Sequence, residues 1–123
     1  DTTSNMPPSY TKAVKIIKLG QYKEAISLLK LADRKKPKDA DINNLLGFSH
    51  RKIGDLDEAG VYYRKALKID RKHKGALEYQ GELFLMVGKK AAAEENLRKL
   101  DEICWLGCSE LDELQAAIKN YKS

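Results

Sequence analysis

With 123 residues, 42% of them apolar and 33% charged, the chain has material for one domain's core and a water-facing surface. Its apolar runs fall short of the ~18–20 residues a membrane-spanning helix needs, and the start of the chain lacks the basic and apolar blocks of a signal peptide. The net charge of +5 permits an anionic partner without requiring one, because 18 acids stand among 23 bases.

The opening segment, "DTTSNMPPS", is polar and Pro-containing, so residues 1–9 are predicted to be a disordered leader left after processing, with the folded domain running from 10 to 123. Such a leader leaves export open. The segments "VKIIKLGQYKEAISLL", "FSHRKIGDLDEAGVYY" and "ELFLMVGKKAAAEENL" then follow one another in step. Gly20, Gly54 and Gly88 are 34 residues apart, Ala25, Ala59 and Ala93 keep the same interval, and Ala13, Gly47 and Gly81 share a small position upstream. The pattern predicts a helical hairpin repeated three times. Each Gly ends a first helix in the left-handed conformation, Asp55 caps the next helix in the second repeat, and the small residues let the paired backbones approach closely.

These residues resemble the tetratricopeptide repeat family, whose unit is 34 residues long with small residues at its eighth and twentieth positions. Leu46, Gly47, Ala59, Tyr63 and Ala66 fall on family positions in the second repeat. Ala25, Ala32 and Pro37 do so in the first, and Leu77, Gly81, Ala93 and Leu97 in the third. Asn43 stands where a large apolar residue is usual, His50 replaces a tyrosine and Arg71 replaces the closing proline. The resemblance implies an all-α, right-handed superhelical solenoid with repeats over about 6–39, 40–73 and 74–107. It also implies a non-catalytic protein-binding role, with no cofactor.

The last segment, "SELDELQAAIKNYKS", has no partner helix. Its stripe of Leu111, Leu114, Ile118 and Tyr121 predicts a helix over 109–121, capped by Ser109, that docks on the third repeat as a solenoid cap. Cys104 and Cys108 flank the junction, with Gly107 between them as a breaker. A disulfide is within reach there; free buried thiols, or a soft-metal or redox site, are the alternatives. Trp105 is expected to pack under the cap. The arrangement is similar to small exported bacterial proteins that join three such repeats to a "C-x-x-x-C" segment and a final helix, which points to export and a periplasmic setting.

No catalytic constellation stands out. "VGKKA" lacks the spacing of a phosphate loop, His50 reads as a packing residue in place of tyrosine, and Glu78 with Glu82 reads as a solvated face rather than a metal site. The family resemblance implies a concave groove lined by the first helix of each repeat. Carried over, its ligand-facing positions are Tyr10, Val14 and Ile17, then Asn44, Phe48 and Arg51, then Glu78, Glu82 and Leu85. Such a groove suits an extended peptide or protein segment; Val14, Ile17 and Leu85 could instead belong to the core. A second candidate surface is a basic edge of Arg34, Lys35, Lys36 and Lys38 with Arg71, Lys72, His73 and Lys74. Nucleic acid or an anionic surface is the alternative partner there, disfavoured because no aromatic residues interleave the bases. Self-association is a further open route.

Overall fold

The structure is a computed structural model that describes residues 5–122. Among the described residues there are seven helices and no strands: α1 (Pro8–Lys18), α2 (Tyr22–Lys35), α3 (Ala40–Lys52), α4 (Leu56–Ile69), α5 (Lys74–Met86), α6 (Lys90–Ile103) and α7 (Ser109–Lys119). They fall into two compact units. The first holds α1 to α4 and ends at Ile69; the second starts at Asp70 and holds α5 to α7.

In the first unit α1 begins at Pro8, two residues before the expected boundary. Pro7 is the N-cap and Pro8 the first helical residue, a place where a missing N–H costs nothing because that group has no intrahelical acceptor. Met6 packs against the core, so the expected leader shortens from its C-terminal side, and residues 1–4 lie outside the described part. The core joins Ala13 and Ile16 of α1 to Ala25, Ile26, Leu29 and Ala32 of α2 and to Ile42 and Leu46 of α3. The chain leaves α2 at Pro37, turns through Lys38 at φ 59°, and enters α3 at Asp39, whose side chain accepts from the Ile42 N–H at 3.0 Å.

The three glycines at the hairpin turns have φ of 77°, 86° and 79°, a region closed to most L-residues, which is why the same residue recurs at that point of each hairpin. Asp55 stands at the start of α4, its carbonyl accepting from the Ala59 N–H at 3.1 Å. Asn43, where an apolar residue was expected, is buried with its Nδ2 donating to the Asp39 carbonyl at 2.9 Å. His50 is buried as expected, stacked on Tyr62 with ring centres 5.2 Å apart.

In the second unit α5 and α6 are tied by Asn96, which is buried and donates to the Leu77 carbonyl and to Gln80 Oε1 at 3.1 and 2.8 Å. Helix α7 packs on both. Its stripe works as the spacing predicts at Leu114, which is fully buried and seated over Gly81. That is a change of partner: the small residue in the third repeat makes room for a leucine of α7. The helix cap also differs, since Cys108 is the N-cap of α7, Ser109 is its first residue, and the Ser109 hydroxyl donates to the Glu110 carboxylate at 3.3 Å.

Candidate functional site

Cys104 and Cys108 form a disulfide with Cα atoms 5.7 Å apart. Cys104 is the C-cap of α6 and Cys108 the N-cap of α7, so the bridge joins the end of one helix to the start of the next. Gly107, at φ 94°, supplies the reversal between them. Bridged sulfurs are not available as thiolate ligands, which sets aside the free-thiol and metal readings. Trp105 does not pack under the cap. It is 78% exposed and Leu106 82%, both on the loop that the disulfide closes.

The proposed partner-facing residues fall in two sets. In the first unit Tyr10 and Ile17 pack partly against the core, Val14 is half-buried between them in sequence, and Phe48 and Arg51 are half-buried on α3. Burial pushes the Tyr10 hydroxyl up to about 12, helped by the carboxylates of Asp41 and Asp39, which places the start of α1 beside an acidic spot at the start of α3. At the other end of α3 the Phe48 ring meets Tyr22 edge-on at 6.2 Å. The Arg51 guanidinium lies 5.4 Å and the Lys52 ammonium 5.5 Å from its centre. One end of this helix pair is therefore acidic and the other basic and aromatic. Between them Asn44 is only 6% exposed, and its buried Oδ1 has no hydrogen-bond partner among the described residues.

In the second unit Leu85 is buried with the core residues. Glu78 and Glu82 are half-buried one turn apart. Burial pushes the Glu78 carboxyl up to about 9, reinforced by its hydrogen bond to Glu82 and by the negative charges of Glu82, Glu113 and Glu110. Glu78 thus holds its proton at neutral pH and donates to Glu82. The sequence reading missed this because Glu110 and Glu113 come from α7.

The basic clusters belong to different units and are partly spent on local contacts. Lys36 pairs with Asp39 at 3.3 Å. His73 is the N-cap of α5, its Nδ1 accepting from the Ala76 N–H at 3.0 Å. A cavity of about 700 Å³, not anticipated from the sequence, lies in the first unit among Pro37, Lys38, Tyr62, Lys65, Lys68 and Ile69.

Residues 40–73, which are α3, α4 and their flanking turns, match the tetratricopeptide repeat family. The chain carries a tetratricopeptide repeat. Solved tetratricopeptide structures extend the likeness to the fold of nearly the whole chain. The first such domain of Spaghetti (RPAP3), bound to the HSP90 peptide SRMEEVD, is 17% identical, with 90% of this chain and 88% of that one covered and a TM-score of 0.79. The second such domain of human RPAP3, in complex with the HSP70 peptide SGPTIEEVD, is 18% identical over 91% and 92%, with a TM-score of 0.78. The Yersinia enterocolitica type III secretion chaperone SycD, in complex with a peptide of the translocator YopD, is 22% identical over 92% and 86%, with a TM-score of 0.77. No curated protein matches the chain.

Proposed function

We propose that this chain is a non-catalytic protein-interaction module that binds an extended peptide segment along α1 and α3. The observation that carries the reading is Asn44. A buried amide oxygen without a partner costs about 1–3 kcal/mol, and a turn of the Asn44 side chain towards a peptide laid over α3 would let a peptide N–H satisfy it. One flank agrees with this use. Phe48, with Arg51 and Lys52 about its ring, suits an apolar side chain followed by an acidic one. Neighbours that share the fold hold peptides, which supports the same use here. The disulfide suits an oxidising compartment, in keeping with an exported protein.

The test is to select linear peptides from a displayed library on the oxidised protein and to measure their affinity by titration calorimetry. Phe48→Ala and Arg51→Ala should each weaken binding by about tenfold with helix content unchanged. Loss of affinity in Lys36→Ala with Lys72→Ala instead would move the function to the basic clusters.

A further inference from the structure

Two features, one in each unit, remain without a role. One is the Cys104–Cys108 loop, which carries the two most exposed large apolar side chains, Trp105 and Leu106. Closure by the disulfide holds them outward in few conformations, so little entropy is lost when they are covered. The chain around this tip is acidic: Asp101, Glu102, Glu110, Asp112 and Glu113 fall between Lys99 and Lys119 with no base among them. An anionic membrane would repel such a rim.

The other feature is the cavity of the first unit. Pro37, Tyr62 and Ile69 give it an apolar floor, and Lys38, Lys65 and Lys68 give it a basic border against a single acid, Asp33. Ile69 is 42% exposed and the Lys65 ammonium lies 5.1 Å from the centre of the Tyr62 ring, so aromatic and cationic groups are already side by side there. About 700 Å³ is ample for an indole and a leucyl side chain.

From this complementarity we propose that the Trp105–Leu106 tip of one copy docks in the α2–α4 cavity of a second copy. The indole and Leu106 cover Pro37, Tyr62 and Ile69, while Asp101, Glu102 and Glu110 face Lys38, Lys65 and Lys68. Tip and cavity are different surfaces, so the contact is heterologous. Copies add head to tail, or close a ring where the geometry allows. The inference is independent of peptide binding at α1 and α3, which uses other residues.

Sedimentation velocity of the oxidised chain from micromolar to near-millimolar concentration tests it, with two variants altered only at exposed positions. The wild type should gain mass with concentration. Trp105→Ser, which lacks the tip, and Lys65→Glu with Lys68→Glu, which lacks the basic border, should each associate at least about tenfold more weakly. Mixed in equal amounts they should restore a one-to-one complex, because one supplies the cavity and the other the tip. A wild type that stays monomeric, variants that associate like the wild type, or a mixture that stays monomeric would each overturn the proposal. Sedimentation with phosphatidylcholine vesicles that is lost in Trp105→Ser, beside a monomeric mixture, would overturn it in favour of a lipid surface.

Discussion

The Tyr63 ring lies so close over Gly47 that a β-carbon at that position would stand 2.6 Å from two ring carbons. The pair fixes how near α3 and α4 come, and Tyr63 is fully buried, so its ring has nowhere to go. Alanine at position 47 would gain about 1 kcal/mol of helix propensity but force an aromatic ring out of a packed core at about 1–3 kcal/mol. Gly47→Ala should therefore lower stability. At Gly81 the nearest atoms are the two δ-methyls of Leu114, 2.7 Å away; Leu114 is also fully buried, but the end of a leucyl side chain yields more easily than a ring, so Gly81→Ala should cost less than Gly47→Ala. Denaturant melts of the two variants check this order, and an equal loss would show that the helix spacing at Gly47 is not set by Tyr63.

The carboxyl of Glu78 carries a pH signature. Its folded-state value of about 9 lies above the ordinary 4.5, so the folded state holds a proton that the unfolded chain has released. The stabilisation is complete below about pH 4.5 and is lost progressively as pH rises towards 9. Glu78→Gln keeps a neutral donor to Glu82, and the midpoint of thermal unfolding should then vary less than in the wild type over that window. Unchanged pH dependence would remove Glu78 as the cause.

Reduction should act locally. The bridge closes so short a loop that the chain-entropy estimate gives it only about 2 kcal/mol. Intact mass should rise by about 2 Da as two hydrogens are added. Hydrogen exchange should quicken in α7, which the bridge joins to α6, and stay unchanged in α1 to α4, whose core residues include no cysteine. Freely titrating thiols in the unreduced protein would contradict the bridge.

Asn44 should separate stability from binding. Asn44→Leu keeps the branched shape and the four side-chain heavy atoms and removes the partnerless oxygen, so the folded protein should be about as stable as the wild type. Affinity for a selected peptide should fall by about tenfold for want of the acceptor. Equal affinity would mean that Asn44 does not meet the peptide.

The period of 34 residues was enough to place the hairpin turns at Gly20, Gly54 and Gly88, because a positive φ leaves few alternatives to glycine. The cysteine pair was readable for the same local reason: separation, breaker and helix ends all lie within one short stretch. Long-range choices were not readable. A small residue at 81 announces a close approach but not that Leu114 of α7 makes it. Trp105 reads as core by composition, since nothing in "ICWLGC" says which way a bridged loop turns its side chains. The cavity was hidden because Asp33, Lys38 and Tyr62 come from separate elements. A partial signal lay in Tyr62, Lys65 and Ile69, which recur at helical spacing along α4 with apolar and basic character mixed.

The most direct test of the peptide-binding account is amide chemical-shift mapping of the isotopically labelled, oxidised chain titrated with a library-selected peptide. The account predicts shifts gathered on α1 and α3, largest around Tyr10, Asn44, Phe48 and Arg51, with the Asn44 side-chain amide among them. Shifts confined to the cavity residues Lys38, Tyr62, Lys65 and Ile69, with those around Asn44 unmoved, would contradict it.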